Sequence, residues 1–410
     1  MLIRTCSVAV LVLWLVAAPS GAEARVIHVT TLELAGPPSV CRLDEAILNA
    51  NDDTENYLCE PGEGDDVIRF EVQGTIEHST RSLPSITDTL AIEGPGADLL
   101  TISGSGLTRV LSVAPGVSLT LSGVTIAGAL APAGAPGGGL QVLAGADVTL
   151  QDCVFSGNAA ASGGAVSITQ GALRVERCTF VGNDATAGAT GAGGAIRNDR
   201  SQVEIVNSTF SDNTSGAGRG AAVATLGAGA TTRIHSTSVI GNGTTGAGGA
   251  LERDADASVF LTHTLLAAAA AGLHCGVPTP TSEGYNLADD TSCGLVGAGD
   301  VQGVASAGVE PLANNGGPSE THALVPGSVA IDAGDSSCFD TDQTTLLATD
   351  QRGVGFPRRT DGDGMLGARC DIGAFEVPEP ASGAGATVAA LTLAALVRRR
   401  GRRAGPRPAR

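Results

Sequence analysis

The chain contains no lysine. All 24 of its basic residues are arginine, set against 42 acids, for a net charge of −18 over 410 residues. Seven of the arginines follow Val397 and one is Arg4, so residues 25–377 hold sixteen arginines against forty acids, a net −24. Such a surface repels phosphate backbones and argues against a nucleic-acid partner. It suits an exported, soluble exterior that attracts cations. Aromatic residues are scarce as well, at 3%. The one tryptophan, Trp14, lies in a segment read below as removed, and the only tyrosines are Tyr57 and Tyr285. Sugar-processing grooves and base-stacking platforms rest on aromatic faces, so their scarcity counts against both. HExxH, GxSxG, a P-loop and a GxGxxG in βαβ context are all missing. So is the CxxC spacing of a zinc site.

What the chain does have is 58 glycines and a set of repeats. VTLQDCVFSGN (148–158), LRVERCTFVGN (173–183), VEIVNSTFSDN (203–213) and TRIHSTSVIGN (232–242) align without gaps, and LTLSGVTIAGA (119–129) and VFLTHTLLAAA (259–269) extend the series. The period is 25 to 30 residues. One column reads Ile126, Phe155, Phe180, Phe210, Val239, Leu266; another reads Leu121, Leu150, Val175, Ile205, Ile234, Leu261. Asn158, Asn183, Asn213 and Asn242 close four successive copies, and a Gly-rich marker (138–140, 163–165, 193–195, 220–222, 248–250) precedes a further short apolar strand in each. Two-residue alternation with tight corners, and no helix-length amphipathic stretch within a copy, predicts two or three short strands per repeat. That is one rung of a parallel β-helix, an all-β solenoid from about Val67 to residue 270. The crossover rule makes it right-handed. Stacked rungs align the apolar columns into a core and the Asn side chains into a hydrogen-bonded ladder. An antiparallel sandwich does not account for column identity across six copies. Ahead of the rungs, CRLDEAILNAN (41–51) places Leu43, Ala46, Ile47 and Ala50 on one helix face. A solenoid needs its open end covered, so residues 25–66 are read as an N-terminal cap.

The two ends carry addresses. Residues 1–24 have Arg4, an apolar Val8–Ala18 core and Ala22-Glu23-Ala24, the order of a Sec-type signal peptide, with Cys6 placed too early for a lipoprotein cysteine. At the other end, Pro378-Glu379-Pro380 is followed by 17 small or apolar residues, 381–397, and then by Arg398-Arg399-Arg400-Gly401-Arg402-Arg403. That run is marginal as a membrane span, and the arginines would keep its end inside. The tripartite tail, residues 378–410, resembles a PEP-CTERM sorting signal. The resemblance implies cutting near Pro378–Pro380 by an exosortase-type protease, after signal peptidase has removed the leader. A plain C-terminal membrane anchor is the other reading.

Cys41-Arg42-Leu43-Asp44-Glu45-Ala46 resembles the CSLREA motif of bacterial β-helix surface proteins, with Arg42 and Asp44 standing where that motif has Ser and Arg. NNGGPSETHALVPGSVAIDAG (314–334), TDQRG (349–353) and CDIGAFE (370–376) resemble the choice-of-anchor Q domain, which assigns residues 271–377 to a C-terminal region of that kind. The resemblance implies a surface or secreted protein and no particular enzyme chemistry.

Eight cysteines outside the leader, an even number in an exported chain, favour disulfides. Proximity pairs Cys41 with Cys59, Cys275 with Cys293 and Cys338 with Cys370. Cys153 and Cys178 share a column in neighbouring rungs, about 4.8 Å apart, which allows either a disulfide or stacked core thiols. The histidines, at 28, 78, 235, 263, 274 and 322, do not cluster in sequence; His322 in THAL reads as a structural hydrogen bond. Pectin-cleaving β-helix enzymes use clustered Asp, with calcium and an Arg base or as an acid/base pair. Here Asp152, Glu176, Asp184, Glu204 and Asp212 are scattered along the rungs, and only Asp152 and Glu176, beside Cys153 and Arg177, are near-equivalent. Asp361 and Asp363, with Asp340 and Asp342 upstream, are weak calcium candidates with hard oxygen ligands at alternate positions; a turn is the plainer reading, and no other cofactor is indicated. Asn207, Asn213 and Asn242 sit in N-x-S/T sequons but serve better as ladder and turn residues. The function expected is an exported, surface-anchored or matrix-released, non-catalytic β-helix protein, adhesin-like or a scaffold, that meets exopolysaccharide or other surface ligands. The alternative is a polysaccharide lyase or hydrolase of the same fold.

Overall fold

A computed structural model describes residues 24–377, apart from 35–39, 56–57, 79–81, 187–190, 217–218, 247, 271, 343 and 359–368. Its body is a right-handed parallel β-helix with three faces. Two ten-stranded sheets and one seven-stranded sheet run its length, and seven consecutive turns contribute a strand to all three. The six-copy alignment is the register of the coil. In the first sheet Leu121, Leu150, Val175, Ile205, Ile234 and Leu261 are directly paired neighbours. In the second, Ile126, Phe155, Phe180, Phe210, Val239 and Leu266 are. All point inward and are at most 1% exposed. The three phenylalanine rings stack face to face, with centroids 5.1 and 4.7 Å apart and planes within 8°. One-turn spacing forces this, because identical side chains in one rotamer repeat at the strand separation.

Two polar ladders run inside the coil beside the apolar columns. Asn158 Nδ2 donates to Asn183 Oδ1 (3.0 Å), Asn183 Nδ2 to Asn213 Oδ1 (2.9 Å) and Asn213 Nδ2 to Asn242 Oδ1 (2.8 Å). Each asparagine oxygen also accepts the backbone N–H of the turn before it. Asn158, Asn183 and Asn213 therefore bond to turns ahead of them and behind them, Asn242 closes the ladder with bonds to the turn behind and its own, and these buried polar side chains keep the hydrogen bonds they would make in water. The residue before each asparagine is left-handed, Gly157 (φ 61°), Gly182 (61°), Asp212 (53°) and Gly241 (70°), which is why the copies end in Gly-Asn or Asp-Asn. The second ladder begins with the two unpaired cysteines. Cys178 Sγ accepts the Cys153 N–H at 3.4 Å, and Ser208 Oγ accepts the Cys178 N–H at 3.1 Å. Of the two arrangements open to Cys153 and Cys178, the structure has stacked buried thiols.

The sheets extend past residues 67–270 at both ends. The first sheet begins at Val26–Val29, a four-residue strand too short to show a repeat, which pairs with Asp66–Phe70 after the chain has made the cap. Between them the helix Leu43–Asp52 lays Leu43, Ala46, Ile47 and Ala50, all at most 1% exposed, over the end of the core. Arg42 bonds Asp44 and Glu45 in the first helical turn (3.2 and 2.7 Å), so the two positions that depart from the motif pair with each other. Cys41–Cys59 ties the helix down. At the far end strands continue to Val301–Gln302, and Cys275–Cys293 holds the closing loop. Residues 305–377 then fold back along the coil, with one antiparallel strand pair (Val309–Ala313 with Thr321–Leu324) and the Cys338–Cys370 disulfide. No helix among the described residues is long and apolar enough to cross a membrane. Residues 1–23, the sorting motif Pro378, Glu379 and Pro380, and the 381–397 segment lie outside the described residues.

Candidate functional site

The place where residue chemistry concentrates is the seam between the coil and residues 305–377. It follows the corner from the first sheet to the second. One residue per turn is left-handed there: Gly123 (φ 62°), Asp152 (53°), Arg177 (52°), Asn207 (46°), Ser236 (48°), His263 (48°) and Tyr285 (55°). A side chain in this conformation costs about 1 kcal/mol or more, which glycine avoids. The first corner is glycine; the later ones carry side chains, and most of these engage a neighbour. Asn207 Nδ2 donates to Thr349 O (2.9 Å), His263 Nε2 accepts the Asp335 N–H (2.9 Å), and Tyr285 stacks on His263 with centroids 5.3 Å apart.

The outer face of the second sheet completes the seam. Thr209 Oγ1 donates to Gln351 Oε1 (2.6 Å), while Gln351 Nε2 donates to Thr179 Oγ1 (2.8 Å) and Ser319 Oγ (3.0 Å). His322 bonds Glu310 O through Nδ1 (2.8 Å) and Ser211 Oγ through Nε2 (3.1 Å). Farther along, Ile240, Leu265 and Ala267 form a second apolar core with Leu324, Ala330, Ile372 and Phe375. Behind this contact, Arg352 lies between the Phe356 and Phe375 rings (4.0 and 3.8 Å) and pairs with buried Asp350. Arg358 is fully buried; its Nη2 donates to the Asp371 and Gly373 carbonyls, and its Nε lies 3.7 Å from Glu376. Burial pushes the Asp371 carboxyl up to about 6.

Of the acids weighed for catalysis, Asp152, Glu176 and Glu204 lie at the near end of this seam, Asp184 lies beyond the second sheet in a short strand paired with Thr214, and each has partners. Arg177 clamps Asp152 through Nε and Nη2 (2.8 and 2.9 Å) and also bonds Glu176. Arg174 reaches Glu204 (3.0 Å) and Asp340 (2.6 Å), the latter from residues 305–377. The Asp152 hydrogen bond, outweighing burial, holds the Arg177 guanidinium above its ordinary range, the wrong direction for a base. Asp184 accepts from Thr186 and Thr214, and Asp212 is approached by the Ser211 hydroxyl. These five rung carboxylates thus take part in ion pairs and turns.

His263, Asp335 and Cys370 bring potential metal-binding atoms within 4.8 Å of one another. The Cys370 sulfur is bonded to Cys338, and His263 Nε2 already accepts a backbone N–H, so the three form a packing contact. Asp361 and Asp363 lie outside the described residues. Upstream, Asp340 is paired with Arg174, and exposed Asp342 accepts the Thr344 and Thr345 N–H groups in a turn. The three sequon asparagines are buried, Asn207 in the seam and Asn213 and Asn242 in the ladder. His28 pairs with Glu60 at the cap, and buried His274 bonds Asp289.

Sequence reasoning missed His235, His263, Gln351 and Arg358 as one site. A signal was present. Ser238–Ile240 and Leu265–Ala267 are buried on both faces, and Ile240, Leu265 and Ala267 break the apolar-in, polar-out alternation, as strands covered on the outside do.

The family model for the right handed beta helix region matches residues 97–259. No curated protein and no solved structure matches the chain.

Proposed function

We propose that this chain is an exported, non-catalytic β-helix protein that serves at the cell surface or in the extracellular matrix as a scaffold or adhesin-like module. The observation that carries the reading is the state of the coil's carboxylates. Asp152, Glu176 and Glu204 are neutralised by Arg174 and Arg177, and Asp340 of the docked region lies over them. A lyase or hydrolase needs a carboxylate free to exchange a proton or bind calcium. A fixed, ion-paired face instead provides shape and charge for a partner, the usual work of a solenoid surface. Exopolysaccharide or another surface ligand is the partner class we assign. Export by the leader at residues 1–24, removal of that leader by signal peptidase, and processing of the 378–410 tail by an exosortase-type protease belong to the same proposal. They place the coil outside, with the tail an anchor in the inner membrane until it is cut.

Incubating the secreted form with acidic polysaccharides, with and without calcium, tests the reading. No new reducing or unsaturated ends are expected. Turnover that disappears in Asp152→Ala or Glu176→Ala would establish the lyase or hydrolase instead. Mass spectrometry of the C-terminal peptide from surface material tests the tail. Chains ending near Pro378–Pro380 are expected, whereas intact chains ending at Arg410 and confined to the inner membrane would make it a plain anchor.

A further inference from the structure

Three of the six histidines, His235, His263 and His322, sit on the seam, and all three are buried. Their bonding makes the neutral form part of the contact. His263 Nε2 accepts the Asp335 N–H at 2.9 Å, which requires a lone pair that a protonated imidazole lacks. His235 is 4% exposed and its Nε2 has no hydrogen-bond partner, so a proton added there finds no acceptor. The two rings lie 5.2 Å apart, and two of the buried Arg358 nitrogens also lack a hydrogen-bond partner, Nε having only the Glu376 carboxylate at 3.7 Å. A second charge in this corner would meet Arg358 and its fellow histidine before it met water.

We propose that the seam is an acid-operated latch: protonation of His235 and His263 undocks residues 305–377 from the corner and outer face of the second sheet, while the coil stays wound. His322 is a weaker contributor, because its protonated ring could still donate to Ser211 Oγ, whose own hydroxyl reaches Asp212 at 3.3 Å.

The charges facing these rings set the pH window. Burial holds His263 down to about 4; Asp335 opposes this, and Arg358 and Arg369 reinforce it. Burial, with His263 and Arg358 nearby, holds His235 well below its ordinary value. Burial also lowers His322, against the pull of the Glu310 carbonyl, Asp212 and Glu320. A histidine whose docked pKa is depressed supports docking above its free value of about 6.5 and loses that support as pH falls toward the docked value. Asp371 acts the other way. Its carboxyl, raised to about 6, favours docking below that pH, so mild acidification from 7 to 6 leaves the latch shut. Release is expected between about pH 6 and 4, where the histidines dominate.

Hydrogen–deuterium exchange on the full chain, corrected for the intrinsic pH dependence of exchange, reads the latch directly. Between pH 7 and 4.5, peptides covering 330–340 and 370–377 should exchange about tenfold faster or more, while peptides covering 172–181 and 202–211 stay protected. His235→Asn with His263→Gln, whose amide oxygen can still accept the Asp335 N–H, should keep the C-terminal peptides protected at pH 4.5. Opening of this double variant at the wild-type pH would overturn the proposal. If the double variant is undocked already at pH 7, the wild-type profile decides alone: protection of 330–340 that is flat from pH 7 to 4.5, or loss that is equal in coil and C-terminal peptides, also overturns it.

Discussion

The coil and the region folded against it bury polar groups by different means. In the coil, a buried asparagine, serine or cysteine is satisfied by its own equivalent one turn away, as along Asn158, Asn183, Asn213 and Asn242. Translation solves the problem once and repeats the solution, and none of the Asn, Ser or Thr members titrates. Residues 305–377 have no repeat to draw on. Their buried groups are Arg352 with Asp350, Arg358 near Glu376, Asp371 held by backbone N–H groups and His322 on a backbone carbonyl, each with a different set of partners, and two of the Arg358 nitrogens have no hydrogen-bond partner. A fold made by repetition can therefore be indifferent to pH, whereas a one-off fold pressed onto it depends on the protonation of particular groups.

Breaking the coil should have the largest effect. Phe180→Ala removes the middle ring of a three-ring stack that is fully buried. It should cost about 3–5 kcal/mol in denaturant unfolding and destabilise both regions together. Asn183→Ala interrupts the ladder, removing the acceptor of the Asn158 N–H, one of the two acceptors of Asn158 Nδ2 and a donor to the Phe155 carbonyl, and should cost about 2–3 kcal/mol by the same measurement. Gln351→Ala sharpens the comparison, since it removes the bonds to Thr179, Thr209 and Ser319 at the seam only. Protection of 349–358 in hydrogen exchange should fall by about 1–2 kcal/mol, with the coil peptides unchanged. Cys178→Ser should cost less than about 1 kcal/mol, because Ser208 does the same work one turn on. Thiol titration of the denatured, unreduced chain should find Cys153 and Cys178 free. Arg174→Ala, at a partly exposed ion-pair row, should change unfolding by no more than about 1 kcal/mol.

Much of the coil is legible from sequence because repetition writes each inward position six times. The Phe and Asn columns fix register, and Gly-Asn or Asp-Asn marks the left-handed step. The strand Val26–Val29 escapes because it is four residues with no flanking copy. The seam escapes for a deeper reason. His235, Ser236 and His263 look like ordinary variation at corner positions, and Gln351 lies more than 140 residues from the threonines it bonds. No spacing within a single sequence links them. The TDQRG segment is visible as a motif, but what it touches is a property of the folded chain alone. The acids Asp152 and Glu176 show the reverse: adjacency in the alignment was real, and the arginines beside them turned a candidate acid pair into a salt-bridge row.

The division between the two regions is tested most directly by native-state hydrogen exchange at pH 7 across a series of sub-denaturing urea concentrations. Two unfolding classes are predicted. Amides of Asp335, Gln351 and Ile372 should converge on a lower opening free energy, and those of Val175, Phe180 and Ile205 on the global one. A single class that includes all six amides would show one cooperative unit and contradict the account.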